Sequence, residues 1–113
     1  MKKVRIAIGN ESEFNKTSGQ VVTLGEGGEC ALFYDDGKWF AVGSLCPHQN
    51  ASLEGAEVEE GAVVCKRHGY RFDLKSGDCL TVGGYGLPVF AAELSGGILY
   101  ISYWEYEERN PSR

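Results

Sequence analysis

Apolar and polar positions alternate with a period of two through much of the chain, the pattern of half-buried strands. "VRIAI" (Val4 to Ile8) is the first such run and "QVVTL" (Gln20 to Leu24) the second. "GEGGE" then turns the chain into "CALFY", and "YDDGK" turns it again into "KWFAVG". Asp-Asp-Gly between apolar runs predicts a tight hairpin, because that turn needs residues that tolerate positive φ. "LPVFAAEL" and "ILYISYW" flank "SGG" and predict another hairpin. No stretch sustains apolar residues at i, i+3, i+4 and i+7; "ESEF" and "NASLEG" each suggest a single helical turn. The expectation is an all-β, antiparallel domain with an irregular excursion from about Ser44 to Leu87. No internal repeat is present, and the charged tail "EYEERNPSR" (about 105–113) is expected to fray.

Composition narrows the class. The 113 residues suit one domain, and 42% hydrophobic with 24% charged residues is ordinary for a soluble globular chain. Sixteen glycines against three prolines agree with many tight turns. A net charge of -5 argues against nucleic acid as a partner. The N-terminal apolar run is interrupted by Arg5 and ends at Gly9, too short for a signal peptide, and no segment is long enough to span a membrane. A cytoplasmic location is therefore expected. There, four cysteines read as metal ligands or buried thiols and not as a disulfide framework.

The chemistry concentrates in two short motifs. Cys46 and His48 form C-x-H, Cys65 and His68 form C-x-x-H, and sixteen residues separate the pairs. These are the only two histidines in the chain. Thiolates and imidazoles suit zinc or iron–sulfur binding, whereas harder cations would call for carboxylates. Zinc knuckles most often pair two cysteines as C-x(2–4)-C. One sulfur and one nitrogen from each loop suits a two-iron cluster, with both thiolates on one iron and both imidazoles on the other. Incidental loop residues and a structural zinc site remain the alternatives at this point.

The segments "CPH" (Cys46 to His48), "CKRH" (Cys65 to His68) and "HGYRFDLKSG" (His68 to Gly77) resemble the Rieske family. The strand order and chain length are similar to a stand-alone Rieske ferredoxin. The resemblance implies a small antiparallel β-sandwich or barrel-like domain over 1–113, with an inserted cluster-binding subdomain at about 44–87. It implies one 2Fe-2S cluster, with Cys46 and Cys65 on an inner iron and His48 and His68 on an outer iron near the surface. Neutral imidazoles in place of anionic thiolates ease the addition of an electron. Rieske centres accordingly span roughly -150 to +300 mV, against about -400 mV for plant-type clusters.

Departures from the family narrow the subtype. High-potential respiratory members carry an extra cysteine in each loop, and the matching positions here are Ala51 and Arg67. They also place serine and tyrosine hydroxyls against the cluster where this chain has Tyr70 and Phe72. Fewer donors imply the low-potential branch. The resemblance thus implies a soluble, monomeric one-electron carrier between a reductase and an oxygenase-type acceptor, and no enzyme on its own. One alternative is the small subunit of an assimilatory NAD(P)H nitrite reductase, whose post-loop segment "FDLKSGDCL" also resembles. Another is a zinc-stabilised interaction module.

Several smaller features complete the picture. Asn50 stands where the family often has glycine and is read as a residue in the left-handed conformation. Gly69 is expected to let backbone approach the cluster, Gly77 to form a tight turn, and "GGYGLP" (Gly83 to Pro88) to cover the site. Lys66, Arg67 and Arg71 form a basic spot, readable as a docking point for an acidic partner or as a solvated loop. Cys30 and Cys79 read as small buried hydrophobes. Trp39 and Trp104 read as core or rim residues, and the glutamates from Glu54 to Glu60 as a solvated face.

Overall fold

The computed structural model describes residues 2–25, 28–47, 50–67 and 69–105. The first half contributes β1 (Lys2–Asn10), β2 (Gln20–Thr23), β3 (Glu29–Asp35) and β4 (Lys38–Gly43). The expected excursion holds five short strands: β5 (Leu45–Cys46), β6 (Ala51–Ser52), β7 (Glu57–Glu59), β8 (Ala62–Val64) and β9 (Arg71–Asp73). β10 (Val89–Ser95) and β11 (Ile98–Glu105) follow, so the expected frayed tail beyond 105 lies outside the described residues. No helix among the described residues is long and apolar enough to cross a membrane.

Hairpin turns fall where the sequence placed them. Asp36 and Gly37 both take positive φ (52° and 79°), which matches the right-handed twist of the β3–β4 ribbon. Gly96 and Gly97 do the same between β10 and β11. "ESEF" yields a single 3-10 turn at Glu11–Glu13, from which the Glu11 carboxylate accepts a hydrogen bond from Trp39 Nε1 at 2.9 Å. "NASLEG" departs from expectation. Its Ala51–Ser52 form β6, paired with β5, because two-strand pairing across the Cys46 loop outweighs a short helical propensity.

A six-stranded antiparallel sheet runs β1-β11-β10-β4-β3-β2. β10 joins its halves: Val89 and Phe90 pair with β4, whereas Ala91 to Ser95 pair with β11. The sheet curls, so that Leu99, Ile101 and Tyr103 of β11 share one core with Cys30, Leu32, Trp39 and Ala41 of β3 and β4. β3 is buried on both faces. Cys30 and Leu32 point into that core, and Ala31 and Phe33 into a second one with Cys46, Leu53, Val63, Cys65, Phe72 and Leu74. A strand covered on both sides has to be apolar without interruption, which is why "CALF" lacks the alternation seen in β1.

The second core belongs to the excursion, where β5 pairs with β6 and β7-β8-β9 form a three-stranded sheet. Gly19 seats this unit against the main sheet. Its N–H donates to Ala56 O and its carbonyl accepts from Gly55 N, both at 2.8 Å. A side chain at Gly19 would strike the Phe33 ring and the Leu53 carbonyl. The Val21 N–H also donates to Glu54 Oε1 at 2.9 Å.

Candidate metal centre

Two hairpins of like design present the two cysteines. Cys46 ends β5 and pairs with Ala51 of β6; Cys65 directly follows β8, whose Val64 pairs with Arg71 of β9. In the first loop the Asn50 N–H donates to Cys46 O at 2.7 Å, and in the second the Gly69 N–H donates to Cys65 O at 2.8 Å. Each bond closes a five-residue turn, and the closing residue is left-handed: φ is 56° at Asn50 and 72° at Gly69. Asparagine tolerates that region better than most residues, so Asn50 fills the place of a glycine as the sequence implied. The Cys65 N–H additionally donates to Tyr70 O at 2.8 Å, which fixes the far side of the second loop.

Cys46 and Cys65 are 0% and 1% exposed and lie in the same apolar core. None of the four cysteines is in a disulfide. Two shielded thiols on separate hairpins, brought into one core, are a donor set for a soft metal centre. His48 and His68 lie outside the described residues. The two loops that carry them are defined by Cys46 and Asn50 on one side and by Cys65 and Gly69 on the other.

The surroundings agree with several expectations and correct others. Phe72 is fully buried beneath the loops, and its position offers no hydroxyl. Ala51 and Arg67 line one groove, so the two loops lie side by side at the positions where the family's additional cysteines would stand. The "GGYGLP" segment reaches the second loop: Tyr85 packs against Tyr70 with ring centroids 6.1 Å apart. Gly77, at φ 81°, is more than a turn residue. A side chain there would collide with the Leu87 carbonyl, and its own carbonyl accepts the Leu87 N–H at 2.8 Å. It is the point at which the third segment is fastened.

Asp73 accepts hydrogen bonds from Ser76 N (2.8 Å) and Lys75 N (3.1 Å), and these bonds, Ser76 foremost, hold its carboxyl below the ordinary range. Cys30 is fully buried, as expected, and burial pushes its thiol up to about 12. Cys79 is only half-buried, contrary to expectation, and its Sγ accepts the Val82 N–H at 3.4 Å. Trp39 is core, whereas Trp104 is 62% exposed. Arg71 leaves the basic spot: its guanidinium pairs with Glu59 Oε1 at 2.8 Å and with the Glu59 carbonyl at 3.1 Å. That pairing is cross-strand contact inside the three-stranded sheet, invisible from residue order alone.

The sequence profile of the Rieske [2Fe-2S] domain matches residues 4–90. The chain belongs to this family. A Rieske-type 2Fe-2S cluster is accordingly its cofactor, and the shielded thiol pair is of the chemistry that such a cluster requires. Among relatives, the ferredoxin component of the alkene monooxygenase system of Xanthobacter autotrophicus is 32% identical over 74 residues, 65% of this chain and 61% of that protein. The chain thus spans about three fifths of that relative. The 3-phenylpropionate/cinnamic acid dioxygenase ferredoxin subunit of Photorhabdus laumondii is 34% identical over 79 residues, 68% of this chain and 75% of that subunit. A solved structure provisionally described as the NADH-dependent nitrite reductase small subunit of Mycobacterium tuberculosis superposes with a TM-score of 0.85. It is 24% identical and covers 94% of this chain and 100% of its own. That likeness is one of fold.

Proposed function

We propose that this Rieske chain is a one-electron carrier, taking an electron from a reductase and delivering it to an oxygenase-type acceptor. The proposed ligands are Cys46 and Cys65 on the inner iron and His48 and His68 on the outer. The bound cluster supplies reversible one-electron chemistry. The chain's own residues do the rest. Cys46 and Cys65, closed off by the Asn50 and Gly69 turns, keep water from the sulfur side, and Phe72 forms an apolar floor that donates nothing. With no hydroxyl at 72, reduced charge is stabilised less, which places the potential in the low branch of the Rieske range.

The observation that carries the reading is the pair of matched hairpins that bury both thiols in one core. The ferredoxin components among its relatives support the carrier role. A cytoplasmic, monomeric protein is part of the proposal. The test is electron paramagnetic resonance of the dithionite-reduced protein, together with iron and acid-labile sulfide analysis and voltammetry. The expected result is two irons and two sulfides per chain and a midpoint below zero. Material that holds no iron and refuses reconstitution would end the carrier reading, and a midpoint well above zero would end the low-potential assignment. Co-purification with a large sirohaem subunit would move the chain to a nitrite reductase.

A further inference from the structure

The three segments around the proposed centre, 44–53, 65–70 and 79–88, contain two charged residues, Lys66 and Arg67, and no carboxylate. The remaining nine Lys/Arg and sixteen Asp/Glu leave -7 on the rest of the chain. The structure gathers the described residues of these segments onto one end. β5 and β6 set Leu45 beside Ser52, the groove lined by Ala51, Ser52, Glu54, Lys66 and Arg67 joins the first segment to the second, and the Tyr70–Tyr85 contact joins the second to the third. Large apolar side chains are exposed there: Leu45 (47%), Leu80 (59%), Val82 (40%) and Tyr85 (38%).

Lys66 and Arg67 are exposed and form no ion pair among the described residues. The neighbouring carboxylates are partly committed. Glu54 accepts the Val21 N–H and Glu59 holds Arg71, while Glu57 lines a second groove with Glu59, Cys65 and Lys66. An end whose three segments carry only two cations, with Glu54, Glu57 and Glu59 at its border, is a segregated charge distribution on an otherwise acidic protein, and such a distribution orients an approaching partner.

Resting on the carrier reading above, we infer that this end is the docking face. The partner it fits is a redox protein whose cofactor is bordered by carboxylates around an apolar contact. Lys66 and Arg67 engage those carboxylates at the rim, and the apolar side chains meet the centre of the patch. A partner bordered by lysines would be favoured by the chain's net charge and rejected at this face.

The test uses the reduced holoprotein and two one-electron oxidants of opposite charge, hexacyanoferrate(III) and tris(phenanthroline)cobalt(III). Each takes one electron from the protein and is itself reduced to the divalent metal complex. If the oxidants exchange at this face, hexacyanoferrate(III) reacts fastest at low salt and slows as salt rises, although the protein as a whole is an anion. The cobalt complex shows the opposite trend. Lys66→Glu with Arg67→Glu should reverse both trends and slow hexacyanoferrate(III) on the order of a hundredfold at low salt, for charges about 10 Å apart in water. Lys66→Gln with Arg67→Gln should fall between.

Cytochrome b5, whose haem edge is acidic, serves as the protein-sized probe and should lose its salt-sensitive rate in the Glu variant. Wild-type rates with hexacyanoferrate(III) that rise with salt would overturn the docking face, as would a Glu variant with unaltered trends. The variants must keep the wild-type paramagnetic spectrum and iron content. Loss of the cluster in the wild-type protein itself would instead overturn the carrier reading.

Discussion

Gly77 and Gly61 differ in one respect that a pair of substitutions can isolate. Both are left-handed, at φ 81° and 79°. A side chain at Gly61 meets open space, whereas one at Gly77 meets the Leu87 carbonyl and the Val89 side chain. Gly61→Ala should therefore cost only the backbone penalty, about 1 kcal/mol. Gly77→Ala pays the same and must also push Leu87 away. That breaks the 2.8 Å bond from Leu87 N to Gly77 O and exposes a leucine that is 5% accessible. These losses add about 1–2 kcal/mol for the hydrogen bond and about 2 kcal/mol for the side chain. The gap between the variants is then about 3 kcal/mol, or roughly two decades in an opening equilibrium. Hydrogen exchange of the holoprotein, read peptide by peptide, reports such local opening. Segment 78–88 should lose roughly a thousandfold protection in Gly77→Ala, about 4 kcal/mol in all, and segment 57–64 less than tenfold in Gly61→Ala. Equal, small losses in both variants would refute the idea that close backbone approach fastens the third segment.

Four further outcomes follow from groups outside the proposed ligand set or within it. Cys30, its thiol at about 12 and fully buried, should resist iodoacetamide in the folded protein. Because the folded state keeps this proton after the unfolded state has released it, stability should decline as pH climbs from about 9 toward 12, and Cys30→Ala should flatten that decline in alkaline melts. Asp73 works in the opposite sense: its depressed pKa contributes stability that is present above the ordinary value of 3.8 and lost as pH falls below it, so Asp73→Asn should lower the melting temperature at neutral pH and weaken its acid dependence. Cys46→Ser and Cys65→Ser should each abolish the visible absorption of the cluster while leaving the far-ultraviolet spectrum of the main sheet largely intact, because that sheet's core around Leu32, Trp39 and Ile101 contains neither residue.

The main sheet was legible because its information is local. Asp36-Gly37 and Gly96-Gly97 announce their turns through backbone tolerance alone, and β1, β2, β10 and β11 fall within a few residues of their apolar runs. Both cysteine ligand candidates were equally plain, since C-x-H and C-x-x-H depend on spacing. What stayed hidden depends on partners remote in sequence. The pairing of Ala51 with Cys46 overrode the helical turn expected of "NASLEG". The Glu59–Arg71 bridge subtracted a charge from the basic spot, and the loop around Val82 left Cys79 half-buried against the second core instead of inside it. Gly77 announces a turn by residue type alone, whereas its stricter task arises from a carbonyl ten residues away.

The two-faced burial of β3 has a bearing on speed. A redox protein works fastest when its nuclei hardly shift between charge states, that is, when reorganisation energy is small. Ala31 and Phe33 press on the module that carries the thiols, while Cys30 and Leu32, one step along the same backbone, are locked into the opposite interior. Any swelling of the module on gaining charge would have to drag a strand clamped from behind, so in the proposed carrier role the scaffold holds its shape between charge states.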